Sequence, residues 1–83
     1  MYSIKFTKGA ENQLYKLPRD IQERILNSLE RIKIRPFSFI KRKQGCPYFI
    51  LRIGKHRAIL DVKNNELIIY VIEVGPRKNI YKQ

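Results

Sequence analysis

The residues from Tyr48 to Tyr81 constrain the fold most strongly, because apolar and polar side chains alternate along much of this stretch as they do in β-strands. Turn signals at Gly54-Lys55 and Asn64-Asn65 divide the stretch into three strands, which predicts an antiparallel meander. Successive side chains of a strand point to opposite faces of its sheet. One face is therefore predicted to be mostly apolar, and the other is predicted to carry Arg52 and Arg57.

The remaining segments predict one more strand and two helices. A short strand is expected over Tyr2 to Phe6, and a helix that follows it ends at Pro18, where a second helix begins and runs to Arg35-Pro36. The apolar stripes of these helices comprise Ala10, Leu14, Leu17, Ile21, Ile25, Ser28, Leu29 and Ile32. The third strand of the meander, Leu67 to Val74, is apolar on both faces, which favours a central position. The sequence predicts an α+β fold of order β-α-α-β-β-β, with the helices on the apolar face.

Residues 36 to 47 have no clear period and are predicted to form a loop or an irregular edge that leads into the sheet. This segment contains the basic triplet Lys41-Arg42-Lys43, which is next to the predicted arginine-bearing face. Phe37 and Phe39 are expected to pack beneath the loop. The triplet is equally consistent with a solvated loop and with a surface that binds phosphate.

The composition favours an acidic partner. The chain has 83 residues, enough for one domain over residues 1–83, and 18 Lys and Arg against 7 Asp and Glu give a net charge of +11. Self-repulsion on a chain this short is unfavourable unless an anionic partner neutralises the charge. Nucleic acid, ribosomal RNA and an acidic protein are the candidate partners.

The chain offers little for disulfide, metal or membrane chemistry. Its one cysteine, Cys46, cannot form an internal disulfide, and no Cys or His cluster predicts a metal site or a cofactor. The longest apolar run, Leu67 to Ile72, is too short to span a bilayer, and the N-terminus leads directly into a predicted strand. We therefore expect a cytoplasmic protein with no membrane or targeting segment.

Three segments in the right order resemble the RelE/ParE superfamily of toxins from toxin–antitoxin systems. They are LPRDIQERI from Leu17 to Ile25, LRIGKHRAIL from Leu51 to Leu60, and VGPRKNIY from Val74 to Tyr81. Members of the superfamily commonly show LRxGxYR on the hairpin and VGxRxxxY near the end, and the resemblance covers essentially the whole chain. The order of the predicted elements is also the same.

The resemblance implies a small toxin that an acidic antitoxin wraps and neutralises. In the RelE branch the toxin enters the ribosomal A site and cleaves mRNA, whereas in the ParE branch it inhibits DNA gyrase and has no known nuclease chemistry. Fold alone does not distinguish these activities. The RelE-like activity fits the basic charge best, and the alternatives are a ParE-like gyrase inhibitor and a non-catalytic RNA-binding module.

Metal-free RNA cleavage needs a proton acceptor for the ribose 2′-OH, a cation that stabilises the phosphate, and a proton donor for the leaving oxygen. The resemblance places Arg57 and Arg77 where RelE nucleases keep arginines that bind the phosphate or assist the leaving group. It places Tyr81 near their C-terminal tyrosine. Further candidates for RNA binding are Arg52, Lys55, Lys41, Arg42, Lys43 and Lys78.

The sequence departs from the RelE pattern at the expected general base. The best-known RelE nucleases carry two lysines on the strand before the hairpin turn, and Tyr48 and Ile50 occupy those positions here. Arg52 keeps positive charge nearby but is a poor base. Four other side chains remain candidates: Lys41, Lys43, Lys55 and His56. For Arg57 the alternative to a catalytic role is an ion pair with Asp61 on the same strand face.

Overall fold

The structure is a computed structural model that describes residues 1–76, and its elements confirm the α+β prediction. The elements are β1 (Ser3–Phe6), α1 (Lys8–Tyr15), α2 (Arg19–Arg31), a 3-10 helix (Pro36–Ser38), β2 (Lys41–Arg42), β3 (Phe49–Ile53), β4 (His56–Lys63) and β5 (Ile68–Pro76). Within these residues no helix is long and apolar enough to cross a membrane.

The strands form a single sheet in the order β1-β5-β4-β3-β2. The last three strands form the predicted antiparallel meander, and β5 lies between β4 and β1, as its two apolar faces predicted. β1 pairs with β5 in parallel, from Ser3 opposite Ile68 to Phe6 opposite Val71. The sequence alone did not identify this partner, because a parallel pairing between distant segments leaves no local turn signal.

Strand β2 is an addition to the predicted order. It pairs Lys41 with Ile50 and Arg42 with Phe49, and the Lys43 N–H donates a hydrogen bond to the Tyr48 carbonyl at 2.8 Å. Two residues are too few to show a period of two, so sequence patterning could not separate this strand from the surrounding loop. Its position extends the sheet by one strand at the edge that carries the basic triplet.

The two hairpin turns of the meander differ from each other. Gly54 and Lys55 form the predicted two-residue turn, and Gly54 has a φ of 60°, which suits glycine at the first position of such a turn. The predicted two-residue turn at Asn64-Asn65 is wrong, because the connection from β4 to β5 also includes Glu66 and Leu67. Leu67 has a φ of 56°, and its carbonyl accepts a hydrogen bond of 2.8 Å from the Ser3 N–H. Pairing with β1 thus helps to define the start of β5.

Both helices pack on one face of the sheet through the predicted stripes. The Thr7 hydroxyl accepts a hydrogen bond from the Ala10 N–H at 3.2 Å and caps α1. Pro18 is the N-cap of α2 rather than its first helical residue. We call the sheet face beneath the helices the helix-covered face. Its buried strand residues are Leu51, Ile53, Ala58, Leu60, Ile69, Val71 and Val74, which join Ala10, Leu14, Ile25, Leu29, Ile32 and Ile40 in the core.

A β-bulge interrupts the pairing between β4 and β5. Ile59 lies opposite Glu73 and Leu60 lies opposite Val71, which leaves Ile72 as an extra residue in β5. The Val74 N–H next to the bulge donates a hydrogen bond of 2.8 Å to Gln13 Oε1 of α1. Because of the extra residue, the alternation of β5 changes phase between Val71 and Val74.

Candidate functional site

The face of the sheet opposite the helices carries the two arginines of the hairpin. Two rows of paired residues define it, Lys41–Ile50–Ile59–Glu73 and Arg52–Arg57–Gly75, and we call it the arginine face. Arg52 and Arg57 are direct partners across β3 and β4, which confirms the prediction that they share a face. Paired residues of neighbouring strands lie about 5 Å apart, so these positive charges are held close together.

The guanidinium group of Arg57 is buried without full pairing. Arg57 is 4% exposed, and its Nε and Nη1 atoms have no hydrogen-bond partner in the part of the chain that the structure describes. Its Nη2 atom lies 3.7 Å from Glu73 Oε2, too far for a strong hydrogen bond. Buried donors that lack acceptors are unfavourable, and a phosphate supplies acceptor oxygens in the planar geometry that arginine prefers. The arrangement therefore suits an anionic ligand.

Glu73 is a member of this face that the sequence analysis missed. Strict alternation with Ile69 and Val71 would bury Glu73 beneath the helices, and the bulge turns it to the arginine face instead. The alternative prediction, an ion pair between Arg57 and Asp61, is wrong, because Asp61 pairs with Lys63 at 3.4 Å. An acidic residue in phase with buried apolar residues was the signal in the sequence that could have indicated a bulge.

The basic triplet does not act as one cluster. The pairing places Lys41 on the arginine face, whereas Arg42 lies beside Phe49 with its guanidinium carbon 5.6 Å from the centre of that ring. Lys43 is half-buried. Of the three, Lys41 is thus the one that the pairing places with Arg52 and Arg57.

The aromatic residues of this edge are more exposed than expected. Phe37 and Phe39 are 50% and 46% exposed, so the prediction that they pack beneath the loop is wrong. Phe37 contacts Phe49 edge to face, with ring centres 5.3 Å apart. The physical reason lies in the 3-10 helix Pro36–Ser38, whose buried residue is Pro36 rather than either ring.

A cavity of about 220 Å³ lies between this edge and the sheet. Its lining residues are Phe39, Lys41, Arg42, Ile50 and Arg52. The lining combines two apolar side chains with three basic residues. Such a combination suits a nucleotide, whose base is flat and apolar on its faces and whose phosphate is anionic.

The other base candidates lie away from this cavity. His56 pairs with Ile53 of the helix-covered face and is half-buried, whereas Lys55 is exposed in the β3–β4 turn. Ile50, at one of the two positions where RelE nucleases have lysine, does lie on the arginine face. The row that contains Ile50 thus has a hydrocarbon side chain where the resemblance predicted a base.

Three predicted residues of the tail, Arg77, Lys78 and Tyr81, lie outside the described residues, so their placement beside Arg57 stays a prediction. Among residues 1–76 no group of three or more His, Cys, Asp and Glu side chains is arranged to hold a metal ion. The chemistry that the described residues offer is that of fixed positive charge with the Glu73 carboxylate beside Arg57.

The fold is shared with toxins from three toxin–antitoxin complexes. The RelBE2 complex of Mycobacterium tuberculosis gives a TM-score of 0.82 at 23% identity, over 92% of this chain and 98% of that one. The intact RelBE complex of E. coli gives 0.78 at 22% identity, over 92% and 96%. The RelB–RelE complex of Methanococcus jannaschii gives 0.73 at 25% identity, over 93% and 94%.

Comparison with curated proteins finds no match to the sequence. The family model described as "ParE toxin of type II toxin-antitoxin system, parDE" matches residues 4–81. This match begins within β1 and covers the helices and the other strands described above. The chain therefore belongs to the ParE toxin family of type II toxin–antitoxin systems, within the RelE/ParE superfamily, and its fold is that of the RelE toxins.

Proposed function

We propose that this toxin is a metal-independent endoribonuclease that cleaves mRNA on the ribosome and thereby inhibits translation in the cytoplasm. The observation that supports this most directly is Arg57, a buried guanidinium whose Nε and Nη1 atoms lack partners among the described residues. It lies beside Arg52 on a face that also carries Lys41. The net charge of +11 favours a polyanionic substrate.

In this proposal the arginine face binds the RNA backbone. Arg57 binds the scissile phosphate through the two nitrogens that lack partners among residues 1–76, and Arg52 and Lys41 bind neighbouring phosphates. Because Arg57 is 4% exposed, RNA binding must uncover its guanidinium group. Arg77 and Tyr81 complete the site as the resemblance implies, with Lys78 as a further phosphate contact.

We also propose that a cognate acidic antitoxin neutralises the toxin. The solved relatives from M. tuberculosis and E. coli are complexes of a toxin with its antitoxin. A groove beside β1 and α2 is lined in part by Ile4, Phe6 and Leu26, and Leu26 is exposed. This apolar lining suits one side of an amphipathic helix, whose acidic side chains the basic surface would attract.

The second candidate is inhibition of DNA gyrase, as in the ParE branch. Two observations favour it: the family model that matches is the ParE model, and Ile50 occupies a position where RelE nucleases keep a lysine. A basic module that binds RNA without cleaving it is consistent with the same missing lysine. These candidates differ in the target that the purified protein inhibits.

One paired assay separates the candidates. The purified toxin is added to a reconstituted translation reaction and, in parallel, to a DNA supercoiling reaction with purified gyrase. The proposal expects translation to stop while supercoiling continues, and it expects Arg57→Met to restore translation. Inhibited supercoiling with normal translation would replace the proposal with the gyrase function. Stalled translation with intact mRNA would support the non-catalytic module.

A further inference from the structure

The proposed reaction needs a proton acceptor, and this chain lacks a lysine where the resemblance expects one. Ile50 fills that place on the arginine face, and its side chain accepts no proton. Arginine remains protonated at any working pH and cannot serve. Among residues 1–76, the acceptor has to be sought on another part of the same face.

Glu73 meets the geometric requirement. Its Oε2 atom lies 3.7 Å from Arg57 Nη2, and its side chain is 49% exposed, so RNA can reach it. It belongs to the same row as Ile50, two strands away, with Ile59 between them. In the cleavage of RNA the attacking 2′-oxygen and the phosphate oxygens belong to one nucleotide linkage, so the base and the phosphate-binding cation must be neighbours.

Other groups on the described part of the chain fit less well. Asp61 is also on the arginine side of β4, but it pairs with Lys63 at 3.4 Å. His56 pairs with Ile53 of the helix-covered face. Lys41 lies on the edge strand β2, two strands from Arg57, whereas Glu73 Oε2 lies 3.7 Å from Arg57 Nη2.

We propose that Glu73 is the general base of this toxin, an inference that rests on the proposed ribonuclease function. The Glu73 carboxylate takes the proton from the ribose 2′-OH, and the 2′-oxygen forms a bond to phosphorus. The bond from phosphorus to the 5′-oxygen breaks, and that oxygen takes a proton from solvent. The products are a 2′,3′-cyclic phosphate and a 5′-hydroxyl, and Glu73 releases its proton to solvent.

The β-bulge is the structural reason why Glu73 can play this role. If β5 alternated regularly through Ile72, with no bulge, Glu73 would point with Val71 into the core. The hydrogen bond from the Val74 N–H to Gln13 Oε1 holds the chain directly after the bulge. The fold thus brings a carboxylate next to Arg57 at a position where regular alternation would have buried it.

The test uses single-turnover cleavage of mRNA on programmed ribosomes by the full-length toxin. Glu73→Gln keeps the size of the side chain but removes the proton acceptor, and we expect the cleavage rate to fall about 100-fold. Ribosome affinity, measured separately, should stay within about twofold, since Arg57 and Arg52 are retained. Asp61→Asn is the matched control, because it neutralises the neighbouring carboxylate, and its rate should equal that of the wild type.

A second variant separates a base from a residue that only positions Arg57. Formate added to Glu73→Ala should restore part of the cleavage rate, because a small carboxylate can occupy the vacated space and accept the proton. Unchanged or faster cleavage by Glu73→Gln would overturn the inference, and so would a loss that formate does not restore. If the wild type itself leaves ribosome-bound mRNA intact, the proposed function fails, and this inference fails with it for that separate reason.

Discussion

The two faces of the sheet are buried in different ways. On the helix-covered face, Leu60 and Val71 are fully buried among other apolar side chains. On the arginine face, Arg57 is almost as deeply buried, yet two of its nitrogens have no partner within residues 1–76. Burial of the apolar side chains on the first face contributes stability through the hydrophobic effect, whereas burial of Arg57 on the second leaves polar groups without partners among residues 1–76.

Strand β4 shows both kinds of burial in consecutive residues. Ala58 and Leu60 lie in the core cluster, whereas Arg57 lies on the arginine face, paired with Arg52 and Gly75. The difference indicates that the first face is optimised for folding and that the second keeps an arrangement that a ligand would complete. Four substitutions test this comparison.

The largest effect is expected in the core. Leu60→Ala should lower the free energy of unfolding by about 3 kcal/mol, because it removes buried methyl groups and leaves a cavity. Denaturant unfolding measures the change. Ile34→Ala, at an exposed position, should change stability by less than about 0.5 kcal/mol. Equal losses at the two positions would mean that the helix-covered face is not the core.

The second largest effect on stability is expected at the β-bulge of β5. Gln13→Leu should destabilise the protein by about 2 kcal/mol, because it removes the acceptor for the buried Val74 N–H. Asn12→Leu, at an exposed position in the same helix, is the control. Thermal unfolding monitored by circular dichroism compares the two variants. Indistinguishable melting temperatures would show that the hydrogen bond does not hold the bulge.

On the arginine face, a substitution should raise stability while it abolishes function. Arg57→Met removes two buried donors that have no partner in the described part of the chain, and we expect the free energy of unfolding to increase by about 1 kcal/mol. Because Glu73 is half exposed, water can solvate its carboxylate once the partner is gone. Denaturant unfolding and growth after induced expression measure the two outcomes. A variant that is both less stable and still toxic would contradict the proposed difference between the two faces.

The smallest effects on stability are expected from the exposed charge of Arg52 on the arginine face. Arg52→Gln should change stability by less than about 0.5 kcal/mol. It should reduce the slope of log affinity for single-stranded RNA against log salt concentration by about 0.7. Lys8→Gln, in α1, makes the same change of charge on the helix side of the molecule. A slope that falls equally for both variants would indicate that the arginine face is not the RNA surface.

The sequence predicted which side chains lie on which face of the sheet, because strand alternation is a local property. Arg52, Arg57, Leu51 and Leu60 all lie where a period of two puts them. The same periodicity failed for Glu73, since one extra residue in β5 shifts every later side chain to the other face. Pairing energy between strands, rather than the local pattern, decides where such a residue is inserted.

Other features depended on distant segments. The parallel pairing of β1 with β5 joins the start of the described chain to its end, and Leu67 takes a φ of 56° where it accepts a hydrogen bond from Ser3. The Asn64-Asn65 turn signal could predict neither this pairing nor the conformation of Leu67. Among the site residues, Arg52 was predicted to share a face with Arg57 and does so, and Lys41 lies on that face two strands away, whereas Arg42 contacts Phe49.

Primer extension on ribosomes programmed with a defined mRNA tests the central claim most directly, namely that the arginine face of this toxin cleaves RNA. With the wild-type protein we predict a new stop within the codon in the A site, and with the folded Arg57→Met variant we predict none. Full-length extension products in the presence of saturating wild-type protein, or equal stops from the two proteins, would contradict the account.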